Sequence, residues 1–221
     1  MKLVTVVAAC CGMALALFAQ EGTPAAKPPV MITPKTAPVK IKMEGGVRQP
    51  AEMPFLVYDN SAKPAIKNFS LSGYMGDVSD LQVMGSYTNL HQPGIPCLKV
   101  VYVAGGEQGW GGLVWQNPAN NWGEVDAGYN LTRAKKLLFW AKGEKGGEQV
   151  QFKMGGMAAS HPDSDSVTTG DVKLSGEWTQ YGIDLTRATL AYISAGFAFI
   201  VTQDGNPEGC TFYLDDVRYE E

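Results

Sequence analysis

Between Glu107 and Tyr129 the chain reads Glu-Gln-Gly-Trp-Gly-Gly-Leu-Val-Trp-Gln-Asn-Pro-Ala-Asn-Asn-Trp-Gly-Glu-Val-Asp-Ala-Gly-Tyr. Trp110, Trp115 and Trp122, three of the five tryptophans, fall here among Gln116, Asn117, Asn120, Asn121 and several glycines. A tryptophan in a core strand is normally flanked by aliphatic residues, whereas these have amides and glycines beside them. Flat ring faces next to carboxamides suit a ligand with an apolar face and a rim of hydroxyls, as a sugar ring has. Each stacked ring contributes about 0.5–1.5 kcal/mol beyond area burial, by analogy with aromatic pairs. The competing role is a plug at the open end of a β-sandwich, because Trp is highly buried on average. Trp122, in a loop of Asn, Pro and Gly, is expected at the surface. Trp115 closes the apolar run Leu113-Val114-Trp115 and fits either role, while Trp110 leans towards structure. The expected ligand-binding set is Trp122, Trp115, Trp110, Asn120, Asn121 and Gln116, with the amides supplying hydrogen bonds.

Hydrolysis of a glycoside needs two positioned carboxylates. Glu107, Glu124, Asp126 and Glu148 lie in or near this stretch, but none belongs to a catalytic motif. Glu144 and Glu148 occur in Lys-Gly-Glu-Lys-Gly-Gly-Glu, which reads as a solvated hairpin turn. The two histidines, His91 and His161, sit beside Gln-Pro or Pro in expected loops. Ser160-His161-Pro162-Asp163 places Ser, His and Asp together, yet triads are assembled in space rather than along the chain. There is no Gly-x-Ser-x-Gly elbow, no His-Glu-x-x-His and no phosphate loop. Binding without catalysis is the expected role. A structural or protein-interaction domain and a glycan-active enzyme are the alternatives.

The elements that must position these residues are strands. Of 221 residues, 45% are hydrophobic and 18% charged, as in ordinary globular domains. The 26 glycines and 13 prolines require many turns. Short apolar runs between Gly, Asn, Asp and Pro predict strands at Phe55–Tyr58, Phe69–Tyr74, Leu81–Met84, Leu98–Val103, Gly112–Gln116, Lys136–Lys142, Gln149–Met154, Asp171–Leu174, Trp178–Asp184, Ala195–Val201 and Thr211–Tyr219. Helical turns are expected only at Asn130–Ala134 and Thr186–Leu190, since no stretch keeps a 3.6-residue apolar period. Such a pattern is an all-β sandwich or barrel. The net charge of -4 and pI near 5.3 argue against nucleic acid or an anionic membrane as partner.

Residues 1–19 read as a signal peptide: Met1-Lys2, an apolar run from Leu3 to Phe18, then Ala19 for cleavage before Gln20. The run is too short, and too soon followed by proline, for a membrane span. Val7-Ala8-Ala9-Cys10 looks like a lipoprotein box, but the apolar run ahead of it is short. The expectation is a chain exported to the cell exterior or periplasm without a lipid anchor. Residues 20–54 carry seven prolines among Ala, Thr and Lys and read as a solvated linker. This linker is where a protein partner would attach, and Val39–Met43 is its one alternating patch, suited to an edge strand. The folded domain is residues 55–221.

Four segments carry a resemblance. They are Cys97-Leu98-Lys99-Val100-Val101-Tyr102, Lys136-Leu137-Leu138-Phe139-Trp140-Ala141-Lys142-Gly143, Glu177-Trp178-Thr179-Gln180-Tyr181-Gly182-Ile183-Asp184-Leu185 and Phe212-Tyr213-Leu214-Asp215-Asp216-Val217-Arg218-Tyr219. In this order they resemble the jelly-roll carbohydrate-binding modules of the galactose-binding-like superfamily, over Phe55–Glu221. The resemblance implies a jelly-roll β-sandwich of two antiparallel sheets, a polysaccharide or other glycan as partner, and a structural calcium ion near the chain ends. Asp59, Asp215 and Asp216 would supply carboxylates to that ion, which takes six to eight oxygens. The plain alternative has one of Asp215 and Asp216 bonding a neighbouring loop. Asp77 and Asp80 suit a turn. A jelly roll sets its early strand antiparallel to its last. Cys97 and Cys210 each open such a strand, so they are expected well beyond the roughly 4.4–6.8 Å between α-carbons that a disulfide needs.

Overall fold

A computed structural model of the chain describes residues 27–35, 48–59, 68–88, 91–92 and 95–221. The signal-peptide segment and the Val39–Met43 patch lie outside these residues. Twelve strands follow one another: β1 Val30–Ile32, β2 Phe55–Tyr58, β3 Ser70–Gly76, β4 Leu81–Tyr87, β5 Cys97–Tyr102, β6 Trp110–Gln116, β7 Lys136–Gly143, β8 Gln149–Gly155, β9 Ser166–Lys173, β10 Thr179–Asp184, β11 Ala195–Thr202 and β12 Cys210–Glu220. All eleven expected strands are present, with β9 starting earlier than the apolar pattern suggests. Helix among the described residues is one 3-10 turn, Val78–Asp80. The two expected helical turns are single turns, closed by Ala134 N–H to the Leu131 carbonyl and by Ala188 N–H to that of Leu185, each at 2.9 Å.

The strands form two sheets. One has seven strands in the order β1-β10-β7-β12-β5-β4, with β2 also pairing on β12, and the other has five in the order β3-β6-β11-β8-β9. Alternation along the strands fills the space between them. Leu137, Phe139 and Ala141 of β7 meet Phe152 and Phe197 from the facing sheet, with Phe139 4.4 Å from Phe152 between ring centroids. Burying a side chain of this size stabilises the fold by about 1.5–3 kcal/mol. Tyr219 reaches across the core and donates from its hydroxyl to the Gly196 carbonyl at 2.5 Å.

The Pro-rich segment departs from the linker expectation. Val30–Ile32 pairs in parallel with Tyr181–Ile183 of β10, and Ile32, Ala51 and Met53 pack against the core. Ala51 N–H donates to the Asn130 carbonyl at 2.8 Å, and Lys35 N–H to that of Thr168 at 3.0 Å. Proline is tolerated at a sheet edge where no N–H is needed. The prolines here flank the apolar triplet rather than interrupt it, so three ladder positions suffice. Cys97 and Cys210 behave as expected: Leu98 pairs with Leu214 while Cys210 pairs with Tyr102, and the two cysteines are not joined in a disulfide.

Candidate functional site

β6 is flanked by β3 and β11, so its two faces have distinct fates. Leu113 and Trp115 point into the core. Trp115 is 1% exposed and packs 5.8 Å from Tyr58 and 5.5 Å from Phe197. Its expected role on a ligand is therefore corrected to core packing. Gln116 is also buried, donating from Nε2 to the Asn121 carbonyl at 3.1 Å and accepting from Ser72 Oγ at 2.9 Å. Asn121, 2% exposed, holds its own loop: Nδ2 donates to the Asn117 and Val125 carbonyls, and Oδ1 accepts from the Gly123 and Val125 N–H groups. These amides serve the 117–128 loop, not a ligand. Trp110 is half-buried over Gly76, where φ is +67 and a Cβ would come within 2.8 Å of the indole, so no side chain fits. Trp122 is 39% exposed, and Asn120, at φ 59, is exposed beside it. Of the six expected binding residues, the structure leaves these two at the surface.

The carboxylates near this stretch do not converge. Glu107 and Glu124 are exposed, and Asp126 pairs with Arg48 at 2.5 Å. Glu148 is buried rather than solvated, accepting from Lys145 N–H at 2.7 Å. It lines a cavity of about 410 Å³ at one end of the sandwich, together with Tyr102 and Cys210. Asp163 is a buried clamp, accepting from Ser194 N–H at 2.5 Å, Ser194 Oγ at 2.8 Å and Met157 N–H at 3.1 Å. Desolvation pushes its carboxyl up, and those hydrogen bonds oppose the shift.

Two of the three aspartates expected at calcium have partners within the chain. Asp215 faces His91, whose Nδ1 lies 3.0 Å from Oδ2. Asp216, at φ 47 in a bulge of β12, bonds Arg218. Burial raises the Asp216 carboxyl, and Asp215 and Asp59 add to that against the guanidinium. Among the described residues no group of three or more His, Cys, Asp and Glu is placed to hold a metal ion. Asp80 and Asp77 instead accept from the Gly105, Gly106 and Gly109 N–H groups, closing a turn.

A different surface gathers aromatic and polar side chains: the outward face of the seven-stranded sheet. On β7 the residues opposite to the core positions are Leu138, Trp140 and Lys142, on β12 Tyr213 and Asp215, and on β5 Cys97 and Lys99. Register aligns them across strands. Gln180, Trp140 and Asp215 form one row. Lys142, Tyr213, Lys99 and Met84 form the next. Trp178 precedes β10 and joins this face. Its ring lies 6.2 Å from Tyr213 and 5.4 Å from His91, which in turn lies 4.3 Å from Trp140. Tyr87 of β4 packs 5.4 Å from Tyr213 on the other side. Tyr213 and Asp215 are buried beneath, whereas Trp140, Trp178, Tyr87, Lys99, Lys142 and Gln180 are half-exposed. Tyr213 donates from its hydroxyl to Glu144. The Trp178 indole N–H is buried with no partner among the described residues. Local sequence gives little hint of this face, because its residues come from five strands and meet only through register. The one available signal is tryptophan, tyrosine and lysine at the outward positions of the β7 and β12 segments.

No family model matches the chain, and no curated protein matches it in sequence. Solved structures do. A family 30 carbohydrate-binding module aligns with 77% of this chain and 99% of its own, at 14% identity and a TM-score of 0.55. The family 30 module of a cellulosomal cellulase of Clostridium thermocellum covers 77% and 98%, at 13% identity and 0.55. A family 11 module from Clostridium thermocellum, in complex with a β-1,3-1,4-mixed-linked tetrasaccharide, covers 77% and 97%, at 12% identity and 0.52. With two sheets and twelve strands among the described residues, the chain has the jelly-roll fold of carbohydrate-binding modules.

Proposed function

We propose that this protein is exported and binds polysaccharide, without catalysis, on the outward face of its seven-stranded sheet. One observation carries the reading: a contiguous set of aromatic rings, Tyr87, Tyr213, Trp178, His91 and Trp140, lies on the outward face of the seven-stranded sheet, with Tyr87, Trp140 and Trp178 half-exposed. Contiguous apolar patches of this kind mark interaction sites. The half-exposed polar groups among them, Gln180, Lys99 and Lys142, answer hydroxyls. Five strands from β10 to β4 carry the face across four spacings of about 4.8 Å, some 19 Å, which suits an extended chain better than a single sugar. The β-1,3-1,4-mixed-linked tetrasaccharide held by the family 11 module of the same fold supports this ligand class. The N-terminal signal-like segment supports export, and no helix among the described residues is long and apolar enough to cross a membrane.

Affinity electrophoresis in a panel of soluble polysaccharides tests the assignment. Trp178→Ala should weaken binding about thirtyfold, the loss of an anchor worth about 2 kcal/mol. Trp122→Ala should leave it unchanged. The opposite result would move the site to the 117–128 loop, a second reading favoured by the exposure of Trp122. A panel in which nothing binds would favour a protein-interaction domain.

A further inference from the structure

We propose that the glycan bound on this face is acidic, with Lys99 and Lys142 taking carboxylates on sugars of one uronate-bearing chain. The inference rests on the site proposed above and adds its ligand class. Lys142 and Lys99 are the register neighbours of Tyr213 on either side. Their ammonium groups lie 5.9 and 5.8 Å from its ring centroid, and Lys99 is also 4.5 Å from that of Tyr87. Neither forms an ion pair or hydrogen bond with another described residue. The acids of this face are engaged elsewhere: Asp215 with His91 and Glu144 with the Tyr213 hydroxyl.

A ring beneath an ammonium holds it in place but accepts none of its three N–H groups conventionally. Both lysines thus keep donors for a ligand, half-buried on a face already partly desolvated. A neutral sugar would answer them with hydroxyl oxygens. A carboxylate would answer with charge-assisted bonds, roughly twice as strong. The two positions are separated by two strand spacings, about 9.6 Å, so two anionic groups on one chain are needed rather than one chelating group. The overall charge of -4 opposes an anion only weakly, since charges beyond about 8 Å are largely screened at physiological salt. Contact with the lysines decides.

The test uses the mature chain with polygalacturonate, with the same polymer after methyl esterification, and with a neutral mixed-linkage β-glucan. Polygalacturonate should bind about tenfold or more tightly than either neutral polymer, and its affinity should fall as salt is raised. Lys99→Gln and Lys142→Gln should each weaken it about tenfold without lowering the melting temperature. Lys173→Gln, exposed on β9 of the other sheet, should have no effect. Equal or tighter binding to the neutral polymers, or polygalacturonate binding indifferent to both lysine variants, would overturn the inference. If the neutral glucan binds and only Trp178→Ala abolishes it, the acidic preference fails while the proposed site stands. If no polymer binds, both fail.

Discussion

Replacing Trp115 by alanine empties a space enclosed by Tyr58, Phe197 and Phe199. Such a truncation costs about 3–5 kcal/mol of folding stability, from lost transfer energy and the cavity left behind. Trp178→Ala removes a ring from the outward face, where water replaces it, so its cost in stability should stay below about 1 kcal/mol. Urea unfolding of the two variants checks this. Near-equal losses would mean that Trp178 is part of the core and cannot be an adaptable ligand platform. The same contrast explains why tryptophan type alone misleads. Trp115 has a glutamine after it and glycines before it, which suggests a surface, yet alternation with Leu113 turns it inward. Asn121 and Gln116 look like ligand donors because they are amides near tryptophans. They are spent instead on backbone groups of a tight loop that has no ladder to satisfy it.

At the scale of elements, short apolar runs between turn residues locate eleven strands, because each run must bury one face and cannot continue past Gly or Pro. What such runs leave unspecified is which strands become neighbours, and the proposed face exists only through that pairing. Trp140 sits in Leu-Leu-Phe-Trp-Ala, which reads locally as core, and only its pairing with Gln180 and Asp215 sets it among polar groups. β1 escaped notice for a related reason. Three residues between prolines carry too little periodicity to count as a strand, yet they cover the exposed edge of β10. Met31 lies against Gly182, and Ile32 packs on the core. Removing residues 1–26 should therefore leave the melting temperature unchanged. Removing residues 1–35 should destabilise the fold by about 1–2 kcal/mol, the value of one partly buried aliphatic side chain and its edge pairing. Identical melting of the two truncations would restore the reading of this segment as a free linker.

At the scale of the whole molecule, burial ties stability to pH mainly on the alkaline side. The Cys97 thiol is pushed up to about 11 and Cys210 to about 12, burial being the first cause in each. Burial likewise raises the phenols of Tyr102, Tyr129, Tyr192 and Tyr219. All six groups hold their protons more tightly folded than unfolded. Their contribution to stability is therefore complete below the unfolded values, about 8.5 for thiols and 10 for phenols. It is lost as pH rises through the folded values. The acid side is mixed. Asp184 is lowered by its bonds to Thr186, and Glu220 is lowered by Arg218 and Lys136 against its own burial. Both stabilise above the unfolded carboxylate range and lose that contribution as pH falls through their folded values. Asp163 and Asp216 are raised by burial and act in the opposite sense. Melting temperature should therefore change little between about pH 5 and 8 and fall steeply above about pH 9. Phenolate absorbance from the buried tyrosines should appear together with unfolding, not before it. Thermal scans from pH 4 to 11 with phenolate absorbance recorded alongside decide the matter. Full phenolate absorbance near pH 10 in a protein that still melts cooperatively at its neutral-pH temperature would show these tyrosines in contact with water and contradict the packing of this core.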